Sequence, residues 1–172
     1  MKTTAIYLGT RIEAFNVVNN LCDIKKIFTT KNSRINDNKS NIDIDIEIIN
    51  RTNKEKCFKI IEHYDIDLIF SCGFPFILPV QIFKNSKYII NSHPGLLPKY
   101  KGRQPIKSAF LKDEHYQGVT LHHMIEEVDS GKIITQMKTL CKNMSLEEIY
   151  EYIFSKLEPA VIVSGLKKLN IK

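Results

Sequence analysis

Short apolar runs alternate with amphipathic stretches through the first half of this chain, and few folds accommodate that alternation. Ala5-Ile6-Tyr7-Leu8 stops at Gly9-Thr10 and reads as a buried strand with its turn. Helical spacing follows at Ile12, Phe15, Val17, Val18 and Leu21, and Ile24, Ile27 and Phe28 make a second strand. Ile42, Ile44, Ile46 and Ile48 alternate with Asp43, Asp45 and Glu47, so a half-exposed edge strand is expected there. Residues 53–64 carry a helical stripe of Cys57, Ile60, Ile61 and Tyr64. Residues 66–70 then run apolar into Gly73, and Tyr88-Ile89-Ile90 runs apolar into Asn91. Central strands that are apolar throughout, separated by helices, predict an α/β domain: a doubly wound, mostly parallel sheet with helices on both faces.

Residues 31–41 are rich in Asn, Lys and Ser and predict a surface loop. A helix is expected near residues 105–111, and residues 118–125 alternate like a strand. Ser145 with Glu148 three positions on is a capping-box signature for a last helix that turns Ile149, Ile153, Phe154 and Leu157 inward. Pro159 is expected to break or kink that helix, with residues 161–169 continuing it. At 172 residues, without repeat or linker, a single domain over residues 1–172 is expected. No apolar run approaches the roughly 20 residues of a membrane span, and the first residues turn polar too soon for a signal peptide, so the cytoplasm is the expected compartment. Cys22, Cys57, Cys72 and Cys141 are far apart and read as free buried thiols, with no metal expected. The net charge of +6 permits an anionic partner, but the lysines are scattered rather than gathered into a stripe, and no nucleic-acid or membrane partner is expected.

In open α/β sheets ligands sit beyond the carboxyl ends of the strands, where strand order reverses. Here the strand ending Asn91-Ser92-His93 places an amide and an imidazole on one face, since residues two apart in a strand point the same way. Together they can donate hydrogen bonds to a carbonyl oxygen that becomes an oxyanion. Residues 94–103 hold two prolines and two glycines and so form a shaped loop. The acidic turn Glu126-Glu127-Val128-Asp129-Ser130-Gly131 follows the next strand. Its Asp129 reads first as a turn-former beside Gly131; it could also fix the tautomer of His93 or accept a proton from an amine.

Asn91-Ser92-His93-Pro94-Gly95-Leu96-Leu97-Pro98, followed 38 positions after Asn91 by Asp129, resembles the signature of the 10-formyltetrahydrofolate-dependent formyltransferases. The segments K-Y-x-G-R-x-P, G-V-T-L-H and V-D-x-G-x-I recur in matching order. The resemblance implies that Asn91 and His93 polarise the formyl carbonyl and stabilise the tetrahedral intermediate. Asp129 would hold His93 or a water and help deprotonate the attacking amine. It places the pterin of 10-formyltetrahydrofolate between the loop bearing Phe74, Phe76, Ile77 and Leu78 and the turn bearing Glu126, Glu127 and Val128. The substrate side would involve Gly9, Thr10, Arg103, Gln104 and Pro105. No metal is implied, since an amine attacking a formyl carbon needs oxyanion donors and a proton acceptor.

Three departures bear on the acceptor. Purine-pathway members carry a G-N-G-S-N phosphate loop where this chain has Gly9-Thr10-Arg11-Ile12-Glu13, which speaks against glycinamide ribonucleotide. Transfer-RNA members add a C-terminal β-barrel, and none is expected here. Gly95 stands where the family often has Ser. The loop Lys99-Tyr100-Lys101-Gly102-Arg103-Gln104-Pro105-Ile106 looks most like the transfer-RNA and aminoarabinose-modifying members, which favours an amine on a nucleotide-linked sugar. The alternatives are a formyltetrahydrofolate hydrolase, a glycinamide ribonucleotide formyltransferase and a non-catalytic folate-binding core; a homodimer is allowed. Arg103 could meet a substrate phosphate or be a solvated loop residue. His122 and His123 face opposite ways on a strand and cannot chelate one ion, and His63 and His115 read as exposed.

Overall fold

The computed structural model describes residues 2–84 and 86–171. One seven-stranded sheet runs in the order β3-β2-β1-β4-β5-β6-β7. Strands β1 (Thr4–Gly9), β2 (Asp23–Thr29), β3 (Ile46–Ile48), β4 (Leu68–Cys72) and β5 (Tyr88–His93) pair in parallel. Strands β6 (Tyr116–His123) and β7 (Ile133–Leu140) then close the order antiparallel. Winding outward from β1 to β3 and, on the other side, from β4 to β5 puts the switch point between β1 and β4. The expected doubly wound sheet is the observed one.

Two cores cover its two faces. Helices α1 (Ile12–Leu21), α5 (Leu146–Tyr152) and α6 (Glu158–Lys168) bury Phe15, Val18, Ile149, Val161 and Ile162 against one face, with Tyr7 and Phe70 beneath them. Helix α3 (Lys54–Glu62) and a 3-10 turn, Val80–Lys84, bury Phe58, Ile61 and Ile82 against Ile6, Leu8 and Phe28 on the other. Side chains of β1 alternate between the two cores, which is why its sequence is apolar without interruption. All four cysteines are free and buried, as their spacing predicts.

Three expectations need correction, and one strand had none. The polar stretch 31–41 is not all loop: it holds a one-turn helix α2 (Arg34–Asp37), capped by Ser33 Oγ accepting from Asn36 N and anchored by the fully buried Ile35. The edge strand is confined to Ile46–Ile48, while Ile42 and Ile44 pack on the α1-side core outside the ladder. Strand β7 carries no expectation at all. Its sole deeply buried residue is Ile134, so an edge strand of Thr, Gln, Met and Lys shows little apolar signal.

Finally, Pro159 neither breaks nor ends the helix. The chain widens into a π-turn at Ile153–Leu157, where Glu158 N–H bonds Ile153 O, and α6 runs on. The wider turn absorbs the N–H that proline lacks. The Ser145–Glu148 capping box forms in both directions. Ile149, Ile153 and Leu157 are buried as expected, and Phe154 is half-buried. Helix α4 (Pro105–Phe110) starts with its proline in the first turn.

Candidate active site

Beyond the carboxyl ends of β1, β4 and β5 lies a cleft of about 550 Å³, a size ordinary for a small-molecule site. One end is apolar, lined by Phe74, Phe76, Ile77, Leu78, Phe83, Met124 and Val128; the other is polar, lined by Arg11, Ser71, Ser92, Arg103 and Gln104. Asn91, His93, His122 and Asp129 sit between them.

The end of β5 does what its spacing predicts. Asn91 and His93 project together, while Ser92 points the opposite way and donates to Glu158 Oε1 at 2.7 Å. His93 is 4 % exposed, and its Nε2 lies 2.6 Å from Tyr100 O. A carbonyl oxygen can only accept, so Nε2 carries the proton and Nδ1 is the titrating nitrogen. That nitrogen faces Asp129 Oδ2 at 3.4 Å. Gly95 explains itself here: a Cβ on it would stand 2.9 Å from His93 Nε2 and 2.8 Å from Pro105 Cβ. The serine that relatives often carry has no room under this imidazole. The loop is held from below by Thr120, whose Oγ1 donates to Gly95 O at 2.6 Å and receives Leu97 N at 3.2 Å.

Asp129 reaches the same spot from the turn after β6. Its backbone sits in the left-handed region at φ 52°, as does that of Gln104 at φ 57° across the cleft. Such conformations cost a non-glycine residue roughly 1 kcal/mol and cluster at functional sites. Gly102 N donates to Asp129 Oδ2 at 2.8 Å, and His122 Nε2 lies 3.5 Å from Oδ1. Burial works to raise the Asp129 pKa, but the His122 contact, the His93 ring and the Gly102 N–H outweigh it and hold it below the ordinary carboxylate value. For His93 burial dominates over the attraction of Asp129 and lowers its pKa. At neutral pH the pair is therefore an ionised carboxylate beside a neutral imidazole with an unprotonated Nδ1, an arrangement ready to take up one proton.

The polar end centres on Arg11, whose Nη1 donates to Glu158 Oε1 at 2.5 Å and whose guanidinium lies 4.3 Å over the Phe154 ring. Burial works against the Arg11 charge, but Glu158, itself 0 % exposed, outweighs it and raises the Arg11 pKa. Burial also pushes the Cys72 thiol up to about 12, which leaves it no role as a nucleophile at neutral pH.

Of the residues singled out from sequence, Phe74, Phe76, Ile77, Leu78, Glu126, Val128, Arg103, Gln104 and Pro105 line the cleft. Glu127 does not: it turns outward toward Lys101 Nζ at 3.5 Å. Gly9 and Thr10 lie behind the wall, Gly9 in register with Cys72 and Thr10 Oγ1 donating to Gly73 O; Arg11 takes their place. His122 is the residue that sequence reasoning passed over. It is 1 % exposed and contacts both Asn91 and Asp129.

Sheet order and switch-point cleft define a doubly wound α/β protein with Asn, His and Asp converging at the strand ends. A family model described as formyl transferase matches residues 10–166, and the chain belongs to that family. Methionyl-tRNA formyltransferase of Borreliella burgdorferi (strain ZS7) is 35% identical over 112 residues, covering 62% of this chain and 34% of the relative. The chain thus spans about a third of that relative's length. Among solved structures, phosphoribosylglycinamide formyltransferase from Streptococcus pneumoniae TIGR4 superposes with a TM-score of 0.85 at 19% identity, covering 99% of each chain. A formyltetrahydrofolate deformylase from Pseudomonas syringae pv. tomato str. DC3000 superposes at 0.81 with 21% identity, covering 96% of this chain and 60% of that one. At those identities the two structures speak for the fold.

Proposed function

We propose that this chain is an N-formyltransferase that moves the formyl group of 10-formyltetrahydrofolate to a primary amine, the acceptor being an amino sugar linked to a nucleotide. The observation that carries the reading is the convergence of the Asn91 amide, the His93 ring and the Asp129 carboxylate on one point of a cleft with an apolar and a polar end. The apolar end, walled by Phe74 and Phe76 on one side and Ile125 and Val128 on the other, fits a flat heteroaromatic ring such as a pterin. When bound, the folate supplies the formyl carbon and, at N10, the leaving nitrogen.

The protein's own part follows from the geometry. An Asn91 N–H donates to the formyl oxygen as it becomes negative. His93 Nδ1 takes the proton that the attacking amine loses, and Asp129 stabilises the resulting imidazolium at 3.4 Å. The same proton returns to the departing nitrogen.

Two features of the polar end support a sugar nucleotide. The Arg11–Glu158 pair stands where a phosphate loop would be, so that corner is electrically neutral. Arg103, at the mouth, has no ion-pair partner among the described residues and suits a diphosphate. The curated relatives favour methionyl-tRNA as the competing acceptor.

The test is thermal unfolding with 5-formyltetrahydrofolate, then formyl transfer from 10-formyltetrahydrofolate to nucleoside-diphosphate amino sugars, glycinamide ribonucleotide and methionyl-tRNA. At about a hundred times its dissociation constant the folate should stabilise by about 2.7 kcal/mol. Transfer to an amino sugar is expected. Formyl loss that needs no amine would replace the reading with hydrolysis, and no folate stabilisation at millimolar concentration would overturn it.

A further inference from the structure

We propose that Arg11 selects the acceptor at the polar end of the cleft: Glu158 cancels its charge, so that its spare N–H groups take an uncharged hydroxyl oxygen of the acceptor sugar and a phosphate gains nothing there. The inference rests on the formyl-transfer reading and assigns the part of the acceptor that lies at this corner.

The ion pair uses one corner of the guanidinium. Arg11 Nη1 donates to Glu158 Oε1 at 2.5 Å and to Cys72 Sγ at 3.4 Å, which takes both hydrogens of that nitrogen. Among the described residues Nε and Nη2 make no hydrogen bond. A two-pronged contact with the carboxylate would be the stronger tie, and it is not made, so the second prong is spare. The group is nonetheless held in place. It lies 4.3 Å over the Phe154 ring, and a Cβ on Gly73 would stand 3.2 Å from Nε and 3.4 Å from Cζ. Gly73, at φ 67°, is in the region that favours glycine on conformational grounds as well. Tyr7 Oη donates to Arg11 O at 2.9 Å and fixes the backbone. Arg11 is thus a positioned donor in the cleft wall, its side chain 16 % accessible.

Charge then decides what that donor can hold. Glu158 is 0 % exposed, and its Oε1 receives Arg11 and, at 2.7 Å, Ser92 Oγ. Its Oε2 is buried and receives no hydrogen bond among the described residues. Arg11 is the one cation in contact with this carboxylate among the described residues, and burial leaves little water to screen the two. A phosphate arriving at the spare prong would give up its own hydration to meet a pair with almost no net charge, an unfavourable exchange. A hydroxyl gives up far less and accepts one N–H as well as water would supply it. Arg103, which has no ion-pair partner among the described residues, remains the cation for the diphosphate. Two arginines of one cleft thereby divide the acceptor by charge.

The experiment removes the charge and keeps the shape. In Glu158→Gln the amide oxygen can stay with Arg11 and Ser92, and the amide nitrogen takes the Oε2 position, where no donor competes. Melting temperatures of parent and variant are compared with and without inorganic phosphate at constant ionic strength. Phosphate should raise that of the variant by at least about 3 °C more than that of the parent, and an equal response would overturn the proposal. With 10-formyltetrahydrofolate as donor, the variant's kcat/KM for glycinamide ribonucleotide relative to a nucleoside-diphosphate amino sugar should rise by about tenfold or more; an unchanged ratio would also overturn it. The double variant Arg11→Met, Glu158→Gln separates recognition from mere support, and decides the matter where an uncompensated Arg11 unfolds the single variant. Neutral groups of similar size in place of a buried ion pair keep the fold. Its acceptor KM should rise by about tenfold or more while 5-formyltetrahydrofolate still stabilises it. A parent-like acceptor KM would make the pair a strut and sink the assignment. If the unmodified protein transfers no formyl group, the functional reading fails while the phosphate comparison still tests the corner.

Discussion

His93 owes its chemistry to being short of room and short of water. Burial favours its neutral form, Tyr100 O fixes its proton on Nε2, and Asp129 stands 3.4 Å from the Nδ1 left unprotonated. His93→Ala or Asp129→Asn should therefore cut turnover by on the order of a hundredfold or more while folate binding survives, measured as kcat against the folate dissociation constant. Near-normal turnover in both variants would remove these residues from the mechanism. Asn91, His93 and Asp129 were legible because a strand end and a turn bring side chains together by rules of period and position. His122 was not. Two adjacent histidines on a strand face opposite sides, and only the pairing of Asn91 with His122 says which of them enters the cleft.

The acidic turn can approach β6 only because residue 131 is glycine. A Cβ there would lie 1.7 Å from His123 O, and the backbone contact that closes the turn, His123 N to Lys132 O at 2.9 Å, would have to lengthen. Gly131→Ala should push the turn outward and carry Asp129 with it, lowering kcat by about tenfold or more and stability by about 1–3 kcal/mol. Kinetics together with urea midpoints check this, and a variant that loses neither would mean the turn is more compliant than its contacts imply. The elements themselves were readable to different degrees. The last helix announced its start through a capping box, whereas β7 lies at the sheet edge with half its surface in solvent and gives almost no apolar pattern. The one-turn helix at Arg34–Asp37 depends on one buried isoleucine in a polar run. Pro159 misled because a π-turn is a tertiary accommodation, set by what the helix must bury on either side of it.

Across the molecule, acid should be the main solution variable against stability. His93 and His123 both have pKa values below the ordinary 6.5, through burial in each case, and Asp129 lies below 3.8. In each case the unfolded chain binds protons more readily, so stability is complete above the ordinary value and is lost as pH falls through the folded one. Urea midpoints should fall between about pH 7 and pH 5, and His93→Gln should flatten that slope without abolishing it, since His123 remains. An unchanged slope would mean that His93 is not buried neutral. The alternation of strand and helix made the doubly wound architecture legible, but strand order was not, because which strands neighbour one another is decided by packing of both faces at once. That order also has a consequence in time. A ribosome completes Asn91, His93 and Asp129 well before it reaches residue 158, yet the carboxylate that neutralises Arg11 and receives Ser92 is Glu158, at the start of the last helix. A nascent chain can therefore own every group of the proposed reaction and still have an unfinished cleft, completed only by a helix that the proposed reaction does not itself use.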